Sequence, residues 1–193
     1  DGRVQELQLG GFGRCDTFED FEAAGKRQVA HITELALQAT LISQCIHRDY
    51  APKPLVSALV EGCMESGKNV MDGGAVGNAG PGLIWTGLAD YADSMAAVKK
   101  LVYEDKACTL EELAQALRDN FAGHEKLLKR CLDAPKYGND DDEADFFAKD
   151  IVDFTQDEHK RRRTLYSRFS HGPLSISNNT PQGMPTGALP CGT

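Results

Sequence analysis

The sequence predicts an α/β fold that is mostly helical and carries two short strands. Helical hydrophobic periodicity covers most of the chain. Two short runs, residues 83–87 and 173–177, read as strands: the first is apolar, the second alternates, and each adjoins a glycine-rich loop. The first of these loops places five glycines in residues 73–82, which frees the backbone for positive φ and close packing. A loop that follows a helix and opens a buried strand suits the rim of an α/β barrel. Two strands close neither a sheet nor a barrel, so the chain is expected to be part of something larger.

Residues 1–16 read as irregular, with Gly10, Gly11 and Gly13 in the middle. Thr17 as N-cap, with Asp20 three residues on, opens a helix over residues 18–45. Phe18, Phe21, Val29, Ile32, Ala36, Ala39 and Ile42 give it its apolar spacing, and Gly25 weakens it locally. Pro52 and Pro54 break the chain over residues 47–54. A second helix is expected over residues 55–66, with Val56, Leu59, Val60 and Cys63 on its apolar face and Gly67 as its stop.

After the first strand, residues 90–104 read as helix, with Tyr91, Met95, Val98 and Val102 in line. Thr109 and Glu112 form a capping box that opens a helix to Phe121, with Leu110, Leu113, Ala114 and Leu117 inward. A short helix over residues 123–132 and a turn over 134–142 follow. A long helix then spans residues 143–169 and buries Phe146, Phe147, Ile151, Phe154 and Leu165. Its second half carries Lys160, Arg161, Arg162 and Arg163, where cations complement the helix dipole. Residues 178–193 read as loop, and the chain shows no internal repeat.

The 193 residues suffice for one domain with a core, and 41% hydrophobic with 26% charged residues is ordinary for a globular protein. A net charge of −8 argues against nucleic acid or an anionic membrane as partner. No apolar run reaches the roughly 18 residues of a membrane span. The chain starts at Asp1, which suggests a processed or excised piece. Six scattered cysteines without a CxxC pair fit reduced thiols in a cytoplasm.

The glycine loop lacks the context of a phosphate cradle. Phosphate loops follow a strand and open a helix, whereas this one follows a helix and opens a strand. Cys63, with Glu65 two residues on, has the look of a nucleophile, yet a buried helical cysteine is the commoner occupant of an apolar face. The acids at positions 140–145 suit a helix N-terminus without a metal, and the five histidines lack ligand spacing. No metal is expected.

Several stretches together are specific for one family. Pro54-Leu55-Val56-Ser57-Ala58-Leu59-Val60-Glu61-Gly62-Cys63, then Gly73-Gly74-Ala75 with Asn78, form the first. Ala92-Asp93-Ser94-Met95 and the residues to Val102, and Ala134-Pro135-Lys136-Tyr137-Gly138-Asn139-Asp140-Asp141, form the next. Ser175-Ile176-Ser177-Asn178 leading to Thr186-Gly187-Ala188-Leu189-Pro190 completes the set. In order and spacing, from about Thr17 onward, the chain resembles the glycyl radical enzymes related to pyruvate formate-lyase.

The resemblance implies a ten-stranded α/β barrel, of which residues 1–193 form a partial domain. It places the chain between two catalytic loops, one bearing the cysteine that becomes a thiyl radical and one bearing the glycine that stores the radical. Neither is in this chain. Cys63 sits in a helix where the family has no radical cysteine, and the chain ends at Gly192-Thr193, where the family continues with arginine, which suggests truncation.

The family further implies that no cofactor is bound directly, and that the glycyl radical is installed by an activating enzyme using S-adenosylmethionine and an iron–sulfur cluster. The resemblance likewise implies a small organic substrate, an anaerobic and cytoplasmic setting, and a full-length protein that is a homodimer or has a small subunit. Ile84 and Trp85 on one strand, and Ser175, Ile176, Ser177 and Asn178 on the other, are expected to line the pocket. Arylacetate decarboxylase relatives have a carboxylate near the place of Ile84. The apolar pair Ile84-Trp85 instead suits the aryl- and alkylsuccinate synthase branch, which adds hydrocarbons to fumarate. Diol, choline and hydroxyproline lyases are the alternatives, and an inactive remnant or helical interaction module is the rival from outside enzymology.

Overall fold

Capping and proline placement decide where the helices begin and end. In the computed structural model, which describes residues 15–78, 80–140, 142–174, 181 and 183–192, Thr17 Oγ1 accepts from the Asp20 amide at 3.2 Å and Asp20 Oδ2 accepts from the Thr17 amide at 3.3 Å. This exchange starts α1, Phe18–Tyr50, which runs past the expected stop at Cys45. The helix ends only where Ala51 precedes Pro52, since the proline ring disfavours helical geometry in the residue before it.

The single helix expected over residues 55–66 is two. α2, Pro54–Leu59, starts with its proline in the first turn, where a missing N–H costs nothing. Val60 is extended, Gly62 is left-handed at φ +94, and α3, Cys63–Ser66, follows, closed by left-handed Gly67 as expected. The break at Gly62 has a packing cause. A Cβ there would lie 2.7 Å from Val76 Cγ2 and 2.8 Å from Val76 N, because the glycine loop folds back and the Val76 amide donates to Glu61 O at 3.0 Å.

The chain forms two compact units. The first contains Gln28–Trp85 and Thr155–Gly172. In it a short 3₁₀ turn, Val70–Asp72, leads through the glycine loop to β1, Gly82–Trp85. This strand pairs with β2, Ser170–Pro173, in a two-stranded parallel sheet, with the Ser170 amide donating to Pro81 O at 3.2 Å. β2 thus begins earlier than the strand expected at residues 173–177, of which residues 175–177 lie outside the described part.

The earlier start follows from a shorter preceding helix. α7, Asp142–Lys160, stops nine residues before the expected end at Phe169. Thr164 is the reason. Its Oγ1 accepts from the amides of Tyr166 at 3.1 Å and Ser167 at 2.8 Å, and its own amide donates to Ser167 O at 2.9 Å. A threonine side chain that takes these amides offers the backbone an alternative to helix. Arg163 and Arg168 close the turn as an antiparallel bridge. Leu165, expected inward on the helix, is therefore 39% exposed, and Phe146 is 58% exposed, whereas Phe147 and Ile151 are buried.

The second unit contains residues 15–27, Thr86–Phe154 and residues 173–192 among those described. α4, Leu88–Val98, continues without interruption as a π-helical stretch, Lys99–Glu104, covering the expected helix. α5, Leu110–Arg118, opens on the expected capping box, with Thr109 Oγ1 accepting from Glu112 N at 3.1 Å and Glu112 Oε2 accepting from Thr109 N at 2.8 Å. Leu110 and Leu113 are buried as expected, but Ala116 takes the inward place beside them while Ala114 and Leu117 are only half-buried. α6 is Glu125–Leu132.

Two apolar clusters hold the second unit. Phe18, Ala92, Met95, Ala96, Ala144, Phe147 and Ala148 form one, in which alanines let α4 and α7 approach closely. Val98, Leu101, Leu110, Leu113, Ala116, Phe121 and Cys131 form the other. Lys99 pairs with Glu143 and, at 3.1 Å, with Glu104. Cys15, Cys45, Cys63, Cys108 and Cys131 are free thiols. Among the described residues, no helix is long and apolar enough to cross a membrane.

Candidate functional site

β1 presents its residues alternately, as a strand must. Gly82 and Ile84 face out, Ile84 being 64% exposed, while Leu83 and Trp85 are half-buried. Of the two β1 residues expected to line a pocket, Ile84 is therefore the one offered outward. The indole Nε1 of Trp85 is buried without a hydrogen-bond partner among the described residues. Ser175, Ile176, Ser177 and Asn178 lie outside the described residues.

The glycine loop before β1 is held rigidly. Asn78 Nδ2 donates to Ala75 O at 2.8 Å and to Gly73 O at 3.3 Å. Gly74 lies so close to the chain that a Cβ would sit 2.3 Å from Lys68 O. Gly73 is left-handed at φ +72 and packs under the ring of Tyr166, where a Cβ would come within 2.6 Å of Cδ1. These are close approaches that only glycine permits.

Tyr166 is the centre of a polar network that the sequence did not disclose. Its hydroxyl donates to Asp72 Oδ1 at 3.0 Å and lies beside Arg48, whose guanidinium holds Asp49 at 2.6 Å. Burial and the Asp72 carboxylate push the Tyr166 hydroxyl above its ordinary value, against the opposing pull of Arg48, so it acts as a neutral donor. Beside it lies a cavity of about 190 Å³ bordered by Gln44, His47, Met71, Asn78, Tyr166 and Ser167. The turn chemistry of Thr164 and Ser167 was the available signal for Tyr166, and the long-helix expectation concealed it.

Cys63 lies buried at the start of α3, 3% exposed. Arg161 pairs with Glu158 at 2.6 Å, and Arg162 pairs with Glu34 at 2.6 Å and Glu158 at 3.1 Å. Lys160 lies 3.5 Å from Asp157. Lys160 stands in the last turn of α7 as expected, whereas Arg161 and Arg162 stand just past its end, and all three are matched by carboxylates. In the acidic stretch, Asp145 Oδ1 accepts from the Gly138 amide at 3.2 Å, and Glu143 holds Lys99.

Among the described residues, a mostly helical chain carries a glycine loop and two adjoining parallel strands that close no sheet, and the solved structures it resembles identify the barrel. The whole chain superposes, with a TM-score of 0.92 and 31% identity, on 25% of the B12-independent glycerol dehydratase of Clostridium butyricum in its glycerol-bound form. A glycyl radical enzyme of Archaeoglobus fulgidus matches 91% of the chain with 22% of its own, at a TM-score of 0.84 and 34% identity. The fold is thus part of the α/β barrel of glycyl radical enzymes.

The sequence agrees: the family described as "Pyruvate formate lyase-like" matches residues 2–183, and the chain belongs to that family. Among curated proteins, (2S)-3-sulfopropanediol dehydratase of Klebsiella oxytoca is 36% identical over 182 residues, 91% of this chain and 22% of that protein. The chain therefore spans about a quarter of the length of the relatives it matches.

Proposed function

We propose that this chain is a barrel-wall segment of a glycyl radical enzyme that cleaves a carbon–heteroatom bond in a small hydroxylated organic substrate. The superposition of this chain on a quarter of the glycerol-bound glycerol dehydratase carries the reading, supported by the similarity to the sulfopropanediol dehydratase. The radical centre belongs to other parts of the polypeptide. It supplies a thiyl radical that removes a hydrogen atom from the substrate, after installation of the glycyl radical by a radical S-adenosylmethionine activase.

This segment supplies wall and shape. Ile84, with Ser175, Ile176, Ser177 and Asn178, lines the substrate space, and Trp85 follows Ile84 on β1 with its side chain half-buried. The rigid glycine loop fixes the entry of β1, and the wall excludes water from a radical intermediate. A second reading rests on Ile84 itself: an outward apolar side chain at this place also suits hydrocarbon addition to fumarate.

The test is anaerobic activation of the full-length enzyme with its activase, followed by electron paramagnetic resonance and product analysis on a panel of small diols and of fumarate with hydrocarbons. A glycyl radical signal with aldehyde or ketone formed from a diol is the expected result. A radical that turns over only the fumarate mixture supports the second reading. Absence of any radical contradicts both and favours an inactive remnant or interaction module.

A further inference from the structure

The second half of α1 bears a regular apolar stripe that the described chain leaves open. Ile32, Leu35, Ile42 and Ile46 are 47%, 38%, 61% and 52% exposed, and Ala39 between them is exposed too. Positions 32, 35, 39, 42 and 46 alternate three- and four-residue steps, the spacing of a helix–helix seam. The opposite side of the helix is already occupied within the first unit. Leu37 is 1% exposed, and Gln44, seven residues on, accepts from the Leu165 amide at 3.4 Å.

Charge makes the stripe unusual. Residues 35–46 contain no charged side chain, and the positions flanking the seam, Ala36, Gln38, Ser43 and Cys45, are small or neutral. A helix with one face in water sets charges on that face and beside its seam. An apolar stripe without such charges is poorly suited to face water.

We propose that an apolar helix from the remainder of the same enzyme polypeptide sits along Ile32, Leu35, Ala39, Ile42 and Ile46, with Ala39 giving the closest approach. This rests on reading the chain as a segment of a longer glycyl radical enzyme. The relatives extend over about four times the length spanned here, and that polypeptide has to pack around the segment. A second copy fits less well. The seam is about 21 Å long at 1.5 Å per residue, short for a stable dimer interface. It also lacks the flanking charge pairs that set register between separate chains.

The test is pulsed iodoacetamide labelling of the full-length enzyme carrying Ile42→Cys, read by peptide mass spectrometry against the same protein in urea. Native Cys45, beside the seam, is read in the unsubstituted enzyme so that the result stands if the variant does not fold. The expected result is native labelling at both positions more than about tenfold slower than in urea, independent of protein concentration. Labelling within about tenfold of the urea rate, or protection lost on dilution to monomer, overturns the proposal. The radical signal of the unsubstituted enzyme is measured separately. Fast labelling in an enzyme that forms the radical defeats the seam alone, and slow labelling without a radical defeats the functional reading alone.

Discussion

Gly62 carries a backbone conformation that its neighbours enforce. At φ +94, with Val76 and Gly74 O within 2.9 Å of where a Cβ would stand, it has no substitute. Gly62→Ala is expected to cost at least about 1–2 kcal/mol from the left-handed backbone alone, seen as a lower urea midpoint. Tyr166→Phe removes the bond to Asp72 and leaves that carboxylate and Arg48 without the phenol, at an expected cost of about 1 kcal/mol in the same measurement.

His171 predicts a pH dependence. Its ring stacks on His159 at 4.7 Å, and burial, then His159 and Lys160, hold it below its ordinary value of 6.5. The unfolded chain takes up a proton near that pH which the folded chain resists, so stability present above pH 6.5 is lost as the pH falls below it. His171→Gln is expected to flatten the fall in melting temperature between about pH 7 and 5, and an unchanged slope contradicts the assignment.

Elements were readable where a local signal decides them. The caps at Thr17 and Thr109 and the stop at Gly67 act through one or two side-chain or backbone bonds, and all three stand where the sequence put them. Thr109→Ala is expected to lower stability by about 1 kcal/mol in a thermal melt, through loss of the bond to the Glu112 amide. Where distant residues decide, the sequence was silent. The break at Gly62 depends on Val76 returning to Glu61. The end of α7, by contrast, is set locally by Thr164 outcompeting the helix for two amides, a signal that the helical periodicity overrode. The Tyr166–Asp72 bond joins residues 94 positions apart, beyond the reach of any spacing rule.

For the whole molecule, the motifs from Pro54 to Pro190 made the family readable, and the family supplied the barrel that two strands could not imply. Ile84 was marked from the sequence and stands outward on β1, 64% exposed. The central claim is that β1 and β2 are neighbouring staves around a reaction space completed by other polypeptide. A crystal structure of the full-length enzyme with bound substrate tests it most directly. The account predicts substrate in van der Waals contact, about 4 Å, with the Ile84 side chain, and β1 paired with β2 inside a closed barrel. Substrate bound elsewhere, with Ile84 on the outer surface in water, would contradict it.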